Sequence, residues 1–228
     1  MAKWEEKMKT YSSSDSIPQI EEKDGREAGP EPTMEEIHDI IWSIRNNGAP
    51  GTDNIHNEFL KYGSKNLLIE IAEIMKKAFR LNDIPKFWTV TVQIPVPKKS
   101  TPKSTEDYRC ITLCSNPYKI YAKNLLNRLK TQVESLPGYQ MAFQSKRSAT
   151  DQIFILRRII DERWRKGCKT VLVSLDLKQA CDRLDISKAA VILSDLGVAK
   201  ALINRIIIAC LHEQTSIQSN ILNTNIVH

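Results

Sequence analysis

The hydrophobic and polar positions form blocks whose spacing switches from helical to alternating and back. Met34, Ile37, Ile40, Ile41 and Ile44 recur at helical spacing behind Thr33-Met-Glu-Glu36, a capping-box sequence with two acids in its first turn. They predict a helix over 34–46, ended by the left-handed formers Asn46-Asn47-Gly48. After the loop APGTDNI (49–55), a broad apolar face predicts a second helix over 57–81, with a break at Gly63. DIPKFW (83–88) turns the chain. TVTVQIPV (89–96) alternates in the β manner, and Pro95 and Pro97 suit an edge or a strand end. RCITLC (109–114) returns as a short strand, so 90–113 reads as a hairpin with lysines at its tip. Helices are predicted over 117–136 and, behind Ser148-x-x-Asp151, over 150–166. TVLVSLDL (170–177) predicts a central strand, followed by helices over 186–196 and 199–211. The tail from Thr215 is polar with spaced isoleucines, a hairpin with nothing to pair against.

The first 32 residues carry too few apolar side chains to support a core and are expected to be disordered. The expected fold is therefore α+β and helix-rich, with a short, incomplete sheet. Such a sheet leaves an open strand edge, an aggregation hazard.

Charge sharpens this picture. The chain has 228 residues and a net charge of +6. Residues 1–32 hold 5 basic and 8 acidic side chains, whereas residues 93–147 hold 10 basic and 3 acidic. A basic middle suits a polyanionic partner, with a solvated lysine-rich surface as the plainer reading. Lys119, Lys123, Lys146 and Arg147 lie in it as candidates for contact with nucleic acid. No apolar run approaches the roughly 18 residues a membrane span needs. The N-terminus lacks the apolar core of a signal peptide, and the five cysteines form no CxxC pair. Together these give the expectation of an intracellular protein, in nucleus or cytoplasm, that is not secreted.

One carboxylate stands out. In a strand over 170–177, Leu172, Ser174 and Asp176 point one way, and Asp176 emerges at the carboxyl end. It either starts a turn or holds a hard cation, which takes one or two carboxylates plus substrate phosphates. Asp182 and Asp185 are explained as first-turn acids of the helix at 186. On the hairpin, Lys98 and Lys99 lie on one arm and Arg109 on the other, a set that could grip phosphate oxygens. The alternative is that Arg109 pairs with Glu106 or Asp107 at the surface.

The order of segments is more specific than any one of them. APGTDNI (49–55), IPKFW…VQIPVPKKS (84–100), YRCITL (108–113), NPYKIYAKNLLNRL (116–129), QMAFQSKRSATDQI (140–153) and LDLKQACDRL (175–184) occur in succession. Together they resemble the fingers and first palm motif of a reverse transcriptase from a non-LTR, LINE-type retrotransposon, over roughly residues 35–200. The resemblance implies a partial right-hand polymerase: fingers over 33–169 and the start of a palm, cut short, over 170–228. It implies that Asp176 is catalytic as the first Mg²⁺-binding aspartate of the palm. It implies that Arg109, with Lys98 or Lys99, holds the phosphates of the incoming nucleotide. Cys181 matches a bulky aromatic that screens against the ribose 2′-hydroxyl. The implied partners are an RNA template, a DNA primer and deoxynucleoside triphosphates; oligomeric state is not addressed.

The departures are specific. Cys181 is smaller than the aromatic it replaces, Cys110 replaces a proline, Ala142 a glycine and Gln144 an arginine. Thr52 and Asn54 interrupt a PGPDG loop. An Ala-Asp-Asp hairpin, which supplies the remaining metal ligands in the family, does not occur in these 228 residues. The chain alone is thus expected to be inactive, with a non-catalytic nucleic-acid-binding remnant as the second reading.

Overall fold

A computed structural model describes residues 29–133, 137–177, 180, 184–211 and 214–217. They divide into two units, one within residues 1–133 and 183–228, the other within 134–182.

In the first unit, α1 (Met34–Ser43) starts at Thr33, whose side chain accepts from the Glu36 N–H while Glu36 reaches back to the Thr33 N–H. It ends three residues earlier than its apolar spacing predicts, because Ile44 is already extended (φ −73°, ψ 142°). The predicted second helix is indeed broken at Gly63, into α2 (Asn57–Tyr62) and α3 (Lys65–Leu81). Ser64 caps α3 through the Leu67 N–H. Asn82 stops it in a left-handed conformation (φ 52°). The DIPKFW turn contains a one-turn helix, α4 (Lys86–Thr89). Strands β1 (Val90–Pro97) and β2 (Tyr108–Leu113) form the predicted antiparallel hairpin. Helix α5 (Asn116–Gln132) follows, with Ser115 as its cap and Pro117 in its first turn.

Helices α7 (Ile186–Asp195) and α8 (Lys200–Leu211) complete this unit. Strand β3 (Gln214–Ile217) pairs parallel to β1, giving the sheet order β2-β1-β3. The tail therefore finds a partner in β1, more than 100 residues earlier, instead of folding on itself. The rest of the tail lies outside the described residues. At the other end, residues 1–28 are also outside them, but Pro32 is fully buried and Glu31 pairs with Arg80 at 2.7 Å.

The core gathers Ile37 and Ile41 of α1, Met75 and Phe79 of α3, Trp88 of α4, Ile120 and Tyr121 of α5, and Leu202, Ile203 and Ile207 of α8. Two guanidinium groups lie over the Phe79 ring, Arg205 at 4.2 Å and Arg128 at 4.9 Å from its centroid. Each cation is attracted to the ring's π-electrons. Arg205 also donates to the Phe79 carbonyl, which fixes α8 against the end of α3.

The second unit holds α6 (Ala149–Arg165), started by a reciprocal Ser148–Asp151 capping box as predicted. Gly167 closes it with φ +65°. The central strand predicted over 170–177 is not formed: these residues pair with no strand, and Leu175 is 91% exposed. Val171, Leu172 and Val173 have β propensity, but a strand exists only by pairing. Among the described residues nothing pairs with this segment. No helix of the described residues is long and apolar enough to cross a membrane.

Candidate functional site

The β1–β2 hairpin is fastened to the first unit at its base. Trp88, two residues before β1, is 2% exposed and packs on Tyr121 with ring centroids 5.9 Å apart. Burial pushes the Tyr121 hydroxyl up to about 12. At the other arm, Ser115 and Asn116 follow β2 after Cys114 and are fully buried. Asn116 donates through Nδ2 to the Ile55 carbonyl at 2.6 Å, tying the 49–55 loop to the start of α5.

That loop is built on two backbone requirements. Gly51 lies so close to the β2–α5 junction that a Cβ there would sit 2.6 Å from the Ser115 nitrogen. Asn54, where the resembled motif has glycine, takes φ +54° and donates its N–H to the Gly51 carbonyl. Asparagine tolerates this region better than other non-glycine residues, so the departure preserves the turn. Asn54→Gly is expected to leave stability unchanged or slightly raised. Asn54→Val is expected to cost about 1–2 kcal/mol, measured from urea midpoints at constant m.

The hairpin tip is organised by Asp107. Residues Thr105–Asp107 form a 3-10 turn capped by Ser104. One carboxylate oxygen, Oδ2, accepts from the Lys103 N–H at 2.7 Å and the Ser104 N–H at 3.0 Å. The other, Oδ1, holds the Lys99 ammonium at 2.7 Å. Lys98 donates its N–H to the Asp107 carbonyl and its Nζ to the Glu106 carbonyl. The Lys99 ammonium, with the Lys103 and Ser104 N–H groups, lowers the Asp107 carboxyl to about 2.

A carboxyl lowered in the folded state stabilises the fold above its unfolded value, and that contribution disappears as pH falls through the folded value. For Asp107 the loss spans the window between 3.8 and about 2. Side-chain carbon NMR against pH is expected to show Asp107 titrating near the lower value, and titrating higher in Lys99→Ala. A native Asp107 titrating at the ordinary aspartate value would contradict the tip geometry.

Arg109 is exposed on β2, opposite Val96 of β1, and its side chain makes no hydrogen bond or ion pair to another described residue. The surface pairing with Asp107 that the sequence allowed is not made; Lys99 takes that carboxylate instead. Asp107 was not anticipated as a site residue. Its signal was present in Ser104-x-x-Asp107, the same capping spacing recognised at Ser148 and Asp151.

The other predicted residues are dispersed. Lys119 is half-buried and donates to Asn116 Oδ1 at 3.0 Å and to the Ala49 carbonyl at 3.4 Å, a brace for the 49–55 loop. Lys123 is exposed on α5. Lys146 and Arg147 are exposed in the second unit, with Lys146 at φ +60°. Asp176 is also in the second unit, on the unpaired segment, and is exposed. Cys181 and Asp182 lie outside the described residues. Asp185 caps α7, accepting from the Lys188 N–H at 3.1 Å, and that bond lowers its carboxyl.

Asp176 is the one residue assigned to Mg²⁺. Among the described residues no group of three His, Cys, Asp or Glu side chains is placed to hold a metal ion. A single exposed carboxylate does not provide the octahedral oxygen set that Mg²⁺ requires without further ligands. The described residues therefore do not fit a complete metal site.

Residues 96–225 match the reverse transcriptase (RNA-dependent DNA polymerase) family. The chain belongs to this family. It is 30% identical over 157 residues to the probable RNA-directed DNA polymerase from transposon BS of Drosophila melanogaster, covering 66% of this chain and 17% of that protein. It is 26% identical over 156 residues to the RNA-directed DNA polymerase from mobile element jockey, also of Drosophila melanogaster, covering 67% of this chain and 17% of that protein. It is 26% identical over 172 residues to the transposon TX1 uncharacterized 149 kDa protein of Xenopus laevis, covering 75% of this chain and 13% of that protein. The chain thus spans 13–17% of the length of these curated relatives. The resemblance to a non-LTR retrotransposon reverse transcriptase, drawn from the order of its motifs, holds.

Proposed function

We propose that this chain supplies the fingers, and part of the palm, of an RNA-directed DNA polymerase, and that its β1–β2 hairpin holds phosphates of nucleotide or nucleic acid. The observation that supports this reading is the hairpin. An exposed guanidinium with no partner among the described residues stands on β2, two lysines are held at the adjoining tip, and the family match begins on β1. Arg109 offers a planar fork for phosphate oxygens, while Lys98 and Lys99 add point charges. Lys123, Lys146 and Arg147 are assigned to the nucleic-acid backbone. Lys119 serves the fold of the 49–55 loop.

On this reading Asp176 is the first metal-binding carboxylate of the family, in a chain whose sequence contains no adjacent pair of aspartates. The 228 residues alone are therefore expected to bind a primed RNA template without extending it. The test combines a binding assay over a salt series with a primer-extension assay containing Mg²⁺. Binding that weakens steeply with salt, without extension, is the expected result. Absence of binding at low salt would overturn the proposed function. Extension that disappears in Asp176→Ala would overturn the expected inactivity of the isolated chain.

A further inference from the structure

Asp107 divides its carboxylate between two tasks. Oδ2 is fixed to the turn by two backbone N–H groups, whereas Oδ1 holds an ammonium on a flexible, half-exposed side chain. The first set of bonds belongs to the backbone. The second is an exposed ion pair, of a kind worth at most about 1 kcal/mol and readily exchanged. Lys98 differs, because its ammonium is held by a neutral carbonyl and faces no competing charge in that bond.

The strand places this pair beside Arg109. Arg109 follows Asp107 by two residues, across the extended Tyr108 (φ −110°, ψ 151°), and pairs with Val96 of β1. A phosphate engaged by Arg109 would thus arrive two residues from the carboxylate that stores Lys99, carrying more negative charge than a single carboxylate.

We propose that Asp107 is a positioning residue: it keeps Lys99 at the hairpin tip as an exchangeable ion pair, and an arriving phosphate takes Lys99 from Oδ1 while Oδ2 retains the turn. The proposal rests on the reading that the hairpin binds phosphates. Asp107 then has two opposed effects, shaping the tip and competing for one of its cations.

Asp107→Asn keeps an oxygen for the turn amides but removes the competing charge. In the 228-residue chain, its affinity for an RNA–DNA hybrid at ~50 mM salt should rise about threefold, with the salt slope little changed because Lys99 meets phosphate in both chains. The gain should vanish in a Lys99→Ala background. A gain that persists without Lys99 would reflect net charge alone and would overturn the proposal, as would unchanged binding in Asp107→Asn. Lys99→Ala by itself leaves both backbone bonds to Asp107 in place, so it tests the same point should Asp107→Asn loosen the tip. It should lose about threefold in affinity, and no loss would overturn the proposal.

Inorganic tripolyphosphate separates this inference from the polymerase reading. Its addition should shift the Lys99 side-chain NMR signals while the Lys103 and Ser104 amides hold. If the hybrid does not bind but Lys99 responds in this way, the polymerase reading fails and the exchange stands. If Lys99 does not respond, the exchange fails whatever the hybrid does.

Discussion

Gly51→Ala is expected to destabilise the first unit by about 3 kcal/mol, the upper end of ordinary overpacking effects. A Cβ at this position would meet the Ser115 nitrogen at 2.6 Å, its Cα at 2.7 Å and the Cys114 carbonyl carbon at 2.8 Å. All three are backbone atoms, so no rotamer change relieves the contact. The loop must withdraw, and the Asn116–Ile55 bond that ties it to α5 is lost with it. A buried amide left without its acceptor adds to the cost. Urea denaturation would show a lower midpoint with an unchanged slope. A midpoint equal to that of the native chain would mean that the loop does not dock at the β2–α5 junction.

Replacing the three hairpin cations together, as Lys98→Ala, Lys99→Ala and Arg109→Ala, is expected to lower affinity for a primed RNA template about 30-fold near 100 mM salt. The logarithmic salt slope should become shallower by roughly 2–3, as expected for about three lost phosphate contacts. Stability should change little, because these side chains lie outside the core. The comparison variant is Lys119→Ala. Lys119 braces the Ala49 carbonyl and Asn116, so its loss should lower the urea midpoint without flattening the salt slope. Two lysines from the same basic stretch would then separate, one acting through phosphate and the other through the fold.

The parts of this protein that were readable from its amino acids are those decided locally. Thr33, Ser148 and Asp185 announce helix starts because their side chains meet amide groups only three residues away. Gly63 marks the break between α2 and α3, where the structure adds Ser64 as the cap of α3. The hairpin was readable because its strands are joined by the segment that turns them. Pairing between distant segments was not. TVLVSLDL has the composition of a central strand, yet no described segment pairs with it; Gln214–Ile217 looked unpartnered, yet lies parallel to β1.

The site shows the same division. Arg109 and the tip lysines were identifiable by residue type and by resemblance. That Lys99 is held by Asp107, and that Lys119 is committed to the 49–55 loop, depends on contacts that charge patterning does not encode. Asn54 shows the converse: it departs from the glycine of the resembled motif in chemistry but not in conformation, since asparagine also enters the left-handed region.

The most direct test of the hairpin as the phosphate-binding element is backbone-amide NMR mapping of the labelled 228-residue chain during titration with a primed RNA template. The largest perturbations should fall on residues 98–109, centred on Lys99 and Arg109, and should be lost at high salt. Saturation of the chain with these amides unmoved, and the perturbations gathered on other elements, would contradict the account.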